Sequence, residues 1–328
     1  MAVLVTGSSG HLGEAIMNTL RGDGRSARGF DIKPSPFTDV VGSITDRRLV
    51  TESMDGVDAV VHSATLHKPH VGTHSSQDFV DVNVTGTLAL LEAAHAAQVR
   101  SFVFTSTTST FGSALTPAEG EPAAWIDENV VPVPKNIYGA TKTAAEGLCE
   151  LFARQHGLAT IILRTSRFFP EPDDDPQKRA RYALENAQAN ELLYRRADIE
   201  DVVSAHVLAA EKAPEIGFGR YIVSATTPFG QDDLAELRYD APRVLARYFP
   251  DYRELYDRRG WSMFPQIDRV YANHLARRAL GWQPKYDFAH VLRCLHENRD
   301  FRSDLTHVIG SKGYHDRSFT EGPYPAAP

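Results

Sequence analysis

The chain reads as an α/β protein built on a doubly wound parallel sheet, and three observations carry that reading. A short apolar run, Met1-Ala-Val-Leu-Val-Thr6, leads straight into Gly7-Ser-Ser-Gly10-His-Leu-Gly13 and then into the helical pattern Glu14-Ala-Ile-Met-Asn-Thr-Leu20. Strand-like runs near 2–6, 26–31, 57–62, 101–106 and 158–163 alternate with helical patterns near 11–21, 76–98 and 137–155. Alternation of this kind gives parallel strands with helices on both faces. The 328 residues are 42% hydrophobic, enough to bury a large core as one large domain or two intimate ones.

Taken in order, the first strand, turn and helix form a site for the pyrophosphate of a dinucleotide. Gly7 permits the tight turn, Gly10 lets phosphate oxygens approach a backbone without a Cβ, and Gly13 lets the helix pack closely on the strand. The helix N-terminus adds free N–H groups and a partial positive charge. The second strand, 26–31, ends at Asp31. An acid there, about 20 residues past the glycines, accepts hydrogen bonds from both ribose hydroxyls of the adenosine and repels the extra phosphate of NADP. NAD is therefore the expected cofactor. Arg28 and Lys33 lie nearby, but neither immediately follows the acid.

The helical pattern at 137–155 follows Pro132 and Pro134 and opens on Tyr138-Gly-Ala-Thr-Lys142. Positions four apart share one helix face, so Tyr138 and Lys142 point into one site. A free tyrosine, with a pKa of about 10, is a poor base at neutral pH. A nearby ammonium, with a nicotinamide cation behind it, favours the phenolate and lowers that pKa. The pair then removes a proton from an alcohol while hydride leaves its carbon. Beyond Arg164 the pattern changes. Pro170-Glu-Pro-Asp-Asp-Asp-Pro176 is a turn or loop with a dense negative run, followed by a polar helix and by Arg195-Arg-Ala-Asp-Ile-Glu-Asp201. From about Ser303 the tail, rich in Gly, Pro, Tyr and Ser, reads as irregular chain.

The glycine loop and the Tyr138/Lys142 pair, in this order, resemble the extended short-chain dehydrogenase/reductases. Within them the chain is similar to the NAD-dependent epimerase/dehydratase family that includes UDP-galactose 4-epimerase. The resemblance covers residues 1 to about 300. Val60-Val-His-Ser-Ala-Thr65, Asn83-Val-Thr-Gly-Thr87, Phe102 to Gly112 and Ala279-Leu-Gly-Trp-Gln-Pro284 add to it. It implies a Rossmann-type domain over 1–164, an interleaved substrate-binding lobe over 165–302, a tail over 303–328 and a homodimer. NAD contacts are implied at Gly7, Ser9, Gly10, His11, Leu12 and Gly13, at Asp31, Ser43 and Ile44, at Ser63, Ala64 and Thr65, and at Asn83, Tyr138 and Lys142. Ser43 replaces an acid common in the family, which leaves the backbone of Ile44 to serve the adenine. Thr107 falls where the family's catalytic Ser or Thr stands, although Thr105, Ser106 and Thr110 are near enough to be confused with it.

The same resemblance bears on the reaction. Sugar-nucleotide 4,6-dehydratases carry Asp and Glu where this chain has Thr108 and Ser109, and hydroxyls there do not eliminate water readily. Both are expected to face the substrate. Arg167 stands where nucleotide-sugar epimerases place an Asn, so a smaller or acidic sugar is expected instead of a UDP-sugar. A guanidinium clamps a carboxylate or phosphate with paired hydrogen bonds; the competing reading pairs Arg167 with Asp173–Asp175. Arg196, with Arg195, is a further substrate candidate. His67 and Lys68 read as contacts to an anionic substrate group or as part of a solvated loop. The spacing His67-x-x-His70-x-x-x-His74 would gather imidazoles only as a helix, and Pro69 and Gly72 argue against one, so no metal is expected.

A net charge of −7 argues against nucleic acid and anionic membranes as partners. Two cysteines are too few for a disulfide framework, and no run of about 18 apolar residues suggests a membrane span. With the first strand starting at residue 2 there is no room for a signal peptide, and a cytoplasmic enzyme is expected. The leading expectation is a sugar epimerase working through a keto intermediate. An oxidoreductase that releases NADH begins with the same oxidation and stays open. A non-catalytic dinucleotide sensor has no need of Thr107, Tyr138 and Lys142 together.

Overall fold

The computed structural model describes residues 1–173, 175–313 and 315. Among them nine strands form: β1 Val3–Thr6, β2 Ala27–Asp31, β3 Val40–Val41, β4 Ala59–His62, β5 Ser101–Thr107, β6 Ala124–Ile126, β7 Thr160–Thr165, β8 Phe218–Val223 and β9 Arg269–Tyr271. Seven of them make one parallel sheet in the order β3-β2-β1-β4-β5-β7-β8. The order reverses between β1 and β4, and in such sheets a crevice opens at that point beyond the strand C-termini. Every side chain of β1, β4 and β7 is buried, as expected for parallel strands covered on both faces.

One face is packed by the helix His11–Gly22, through Leu12, Ile16 and Leu20, together with Val202, Ala205 and Ala209 of the helix Ile199–Ile216. The opposite face packs Leu90 and Leu91 of the helix Gly86–Ala96 and Ala145 and Cys149 of the helix Ile137–His156 against Phe30, Phe102 and Phe104. A separate core belongs to the lobe, where Leu193, Leu237, Val244, Tyr256, Phe264 and Phe288 pack together. The pair β6–β9 is also part of that region. β8 and the helix Ile199–Ile216 come from beyond residue 164, so the chain leaves the sheet for the lobe, returns to it over 199–223, and leaves again.

Three local features depart from the sequence reading. The helix expected over 76–98 is interrupted by a π-turn at Asp81–Thr85, between Ser76–Val80 and Gly86–Ala96. Such turns concentrate at functional sites, and this one carries Asn83. Pro69 does not prevent a turn of 3-10 helix at Lys68–His70, because it sits in the first turn, where its missing N–H costs nothing. The tail begins with a helix, Asp304–Ile309, and not with irregular chain. The Ser303 side chain accepts from Thr306 N at 3.1 Å and donates to Asp198 at 2.5 Å, while Ile309 enters the core beside the first helix. A good N-cap and two apolar residues outweigh the composition of the residues that follow. Residues 316–328 lie outside the described residues.

Candidate active site

A cavity of about 900 Å³ opens beyond the C-terminal ends of β1, β4, β5 and β7. Its floor is the glycine loop. Gly7 adopts φ +76°, and a Cβ there would lie 2.7 Å from the backbone nitrogen of Ala64. A Cβ on Gly13 would fall 1.9 Å from the Gly7 carbonyl oxygen, so this glycine is what allows the helix to start against the loop. Gly10 is the N-cap and offers no side chain to the helix, and Gly10, His11, Leu12 and Gly13 all line the cavity. A bare, uncapped helix start fits a pyrophosphate. The imidazole of His11 is turned away toward Glu171, 2.9 Å from its Oε1, which leaves the backbone N–H of His11 as its offering to the loop.

Asp31 stands at the rim. Its Oδ2 accepts from Ser9 N at 3.0 Å and its Oδ1 from Lys33 N at 2.9 Å, so the carboxylate both ties down the glycine loop and faces the cavity. Arg28 is directed elsewhere, to the carbonyls of Ser53 and Asp55. We expect Asp31→Ala to weaken NAD about tenfold, the worth of a charge-assisted hydrogen bond, and to lose most of the discrimination against NADP. Titrating both dinucleotides into wild type and variant checks this, and equal wild-type affinities would show that Asp31 does not select the cofactor.

Ser43, Ile44, Ser63, Ala64 and Thr65 line the adjoining wall. The Ser43 hydroxyl is paired with Thr45 and that of Ser63 donates to the Thr6 carbonyl. Asn83, implied by the resemblance as a cofactor contact, is buried and placed behind this wall. Its Oδ1 accepts from Leu66 N and Thr65 Oγ1, and its Nδ2 donates to Leu66 O and Thr141 Oγ1. It fastens the loop after β4 to the helix carrying Tyr138 and Lys142, and so positions groups it does not replace.

The chemistry-bearing side chains converge at the far side of that wall. Asn136 caps the helix Ile137–His156 by accepting from Gly139 N, and its first two turns bury Tyr138 and Lys142 on the cavity. The Tyr138 phenol faces the Thr107 side chain at the end of β5, near enough for that hydroxyl to act on its ionisation, while Thr107 Oγ1 also accepts from Ser109 N at 3.1 Å. The neighbouring hydroxyls are occupied: Thr105 with His206, Ser106 with Glu146, and Thr110 with the Thr107 carbonyl. That distinction was not available from the sequence.

Lys142 is 2% exposed, with Nζ 4.0 Å from the Phe104 ring centre and no carboxylate ion pair among the described residues. Burial pulls its pKa down to about 7. Burial likewise raises the Tyr138 phenol well above its ordinary value, outweighing the opposing effect of the Thr107 hydroxyl. The expectation placed both the Lys142 ammonium and a nicotinamide cation beside the phenol, and the protein by itself supplies only the first. Desolvation dominates, and further positive charge is required.

The substrate side is built from Thr108, Ser109, His67, Lys68, Arg167 and the lobe. The His67 ring meets Tyr138 edge-on at 5.0 Å and Phe169 at 4.9 Å, and burial lowers its pKa to about 3, so it is a neutral imidazole. Arg167 reaches the cavity while donating to the Pro172 carbonyl at 2.8 Å, with Asp173 3.8 Å away. Arg196, a substrate candidate from the sequence, is placed behind the wall. It is buried, bound to Glu191 at 2.8 Å and to the Phe169 carbonyl, and is not on the cavity wall. Its neighbour Arg195 is on it, with Phe169, Glu171, Arg269, Tyr271 and Lys312. Arg269 gave no sequence signal, because β9 pairs with the distant β6; Tyr271, which with Trp261 and Phe264 reads from the sequence as core more than as a sugar-stacking platform, is buried and also lines the cavity. Among the described residues no helix is long and apolar enough to cross a membrane.

Comparison with known proteins agrees with this geometry. A dTDP-glucose 4,6-dehydratase from Streptomyces niveus is 34% identical over 191 residues, 52% of this chain and 55% of that protein. A uronate dehydrogenase from Pseudomonas putida is 25% identical over 178 residues, 52% of this chain and 63% of that protein. The aligned part thus spans less than two thirds of either relative. A solved structure, a short-chain dehydrogenase/reductase superfamily protein from Agrobacterium tumefaciens with bound NAD, superposes with a TM-score of 0.64 at 26% identity, covering 90% of this chain and 95% of that one. The profile of the NAD-dependent epimerase/dehydratase family matches residues 3–223, which include the glycine loop, Asp31, Thr107, Tyr138 and Lys142. This chain is an enzyme of the extended short-chain dehydrogenase/reductase type and belongs to the NAD-dependent epimerase/dehydratase family.

Proposed function

We propose that the protein is an NAD-dependent sugar epimerase that oxidises a hydroxyl to a ketone and reduces it again on the other face. The observation that carries this reading is the convergence of Thr107, Tyr138 and Lys142 on the cavity that the glycine loop also lines. The loop, Asp31 and Lys142 would hold the dinucleotide. When bound, NAD supplies the hydride acceptor and a fixed positive charge. Thr107 would orient the substrate hydroxyl, and Tyr138 would take its proton and later return it. Lys142, buried without a counter-ion among the described residues, would place its donors on ribose hydroxyls and add its charge to the field that favours the phenolate. His67 and Phe169 narrow the space beside Tyr138 and keep water from it. With hydroxyls and no carboxylate at 108 and 109, elimination of water lacks its acid and base there.

A second reading, a sugar dehydrogenase that releases NADH, is favoured by the uronate dehydrogenase relative. Turnover separates the two. Protein purified without added cofactor should carry substantial NAD(H), released on denaturation. Given candidate sugars and excess NAD, it should build up no more NADH than about one equivalent per site, because an epimerase returns each hydride. Continuous NADH production would establish the dehydrogenase instead.

A further inference from the structure

The lobe side of the cavity gathers several arginines around two buried carboxylates. Arg167 and Arg196 are joined by a parallel backbone bridge, with Arg167 N donating to Arg195 O at 3.3 Å and Ala197 N to Arg167 O at 3.0 Å. This pairing sets Arg195 beside Arg167 on the wall, where Arg269 of β9 joins them. Among the described residues, Arg167, Lys178, Arg195 and Arg196 converge on two buried carboxylates. Asp173 lies 2.9 Å from Arg195, 3.8 Å from Arg167 and 3.9 Å from Lys178, and Glu191 pairs with Arg195 and Arg196. The crowding is felt: burial and the nearby Arg195 charge lower the pKa of Lys178.

Arg195 is the member with donors to spare. Asp173 and Glu191 both engage its Nη2. Its Nε is buried with no hydrogen-bond partner, and no contact among the described residues takes Nη1. Nε and Nη1 lie on different edges of the guanidinium, which share the occupied Nη2, so each would hold an oxyanion by a single charge-assisted hydrogen bond, and donors left unmet away from water await such a partner.

Building on the sugar chemistry above, we propose that Arg195 is the specificity determinant of the cavity and holds the oxyanion, a carboxylate or a phosphate, of an acidic sugar. Arg167 stands beside it on the wall, while Arg269 is paired with Asp268. Arg196, its neighbour in sequence, is the structural member of the pair and keeps Glu191 in place.

The test uses the NAD-loaded full chain with a hexuronic acid, a hexose 6-phosphate and the matching neutral hexose. Binding is followed by calorimetry and turnover is followed separately. We expect the acidic sugars to bind at least about tenfold more tightly than the neutral one, as a charge-assisted contact implies, with the better of the two naming the oxyanion. Arg195→Gln should remove that preference, raising KM for the acidic sugar about 10- to 100-fold with little change in kcat or in the weak binding of the neutral hexose. Arg195→Lys, which keeps the charge and the link to Glu191, should recover part of it. Equal wild-type binding of acidic and neutral sugars would overturn the proposal, and so would equal losses for both in Arg195→Gln. If Arg195→Gln does not fold, the wild-type preference and its partial retention in Arg195→Lys decide. Tight binding of an acidic sugar without turnover would leave the anion site standing and sink the proposed reaction; turnover of neutral sugars alone would do the reverse.

Discussion

Tyr138→Phe is expected to lower turnover by about 10²-fold or more while leaving NAD affinity nearly unchanged. The substitution removes one oxygen from a buried ring and, with it, the interaction with the Thr107 hydroxyl. A placed general acid/base contributes about 10²- to 10⁴-fold, which sets the scale of the loss. Loss of one neutral hydrogen bond costs only about 1 kcal/mol, so the variant should stay folded. The pH dependence gives a second readout. Burial raises the phenol pKa, so the proton-accepting form is favoured only as pH rises. Oxidation by the wild type should therefore increase with pH, and Tyr138→Phe should lose that limb. Lys142→Met should differ by weakening NAD binding as well, since it removes a buried donor from the same wall. A Tyr138→Phe enzyme with full activity would remove the proposed mechanism.

Glu146→Ala is expected to cost about 3–5 kcal/mol of stability, the usual penalty for leaving a buried charge without its partner. Glu146 lies one helical turn beyond Lys142 and is 2% exposed. Its Oε1 accepts from Ser106 at 2.6 Å and from Arg164 Nε at 3.0 Å, while Oε2 takes Arg164 Nη2 at 2.7 Å and Arg220 at 3.1 Å. Arg164 is itself 2% exposed, on β7. Truncating the acid strands its guanidinium between sheet and helix. Against a typical total of about 5–15 kcal/mol this is a large fraction, and the melting temperature should fall by roughly 10 °C or more. Glu150→Ala makes the control. That carboxylate also meets Arg220, but at the surface, where such pairs contribute about 0–1 kcal/mol. Similar melting points for the two variants would show that the buried network does not stabilise the helix that carries the site.

The sequence by itself determined the nucleotide half of this protein. The information there is local. A glycine loop between a strand and a helix, an acid at the end of the next strand and a tyrosine four residues before a lysine each act within one or two adjacent elements. Backbone geometry alone therefore carries Gly7, Gly13, Asp31, Tyr138 and Lys142 to their places, and the expected strand edges fall within two residues of those observed.

What only the tertiary structure decided depends on pairs far apart in the chain. Four hydroxyls crowd the end of β5, and only their partners show that Thr107 meets Tyr138 while Ser106 meets Glu146. Asn83 resembled a cofactor contact, yet its amide is consumed by Leu66 and Thr141, which come together when the π-turn packs on the catalytic helix. Arg195 and Arg196 are adjacent and chemically equivalent in sequence. The bridge to Arg167 turns one toward the cavity and the other into Glu191. Burial decides the ionisation as well. Helical spacing brings Tyr138 and Lys142 together, but the desolvation that raises the phenol and lowers the ammonium comes from the sheet, loop and lobe closed around them.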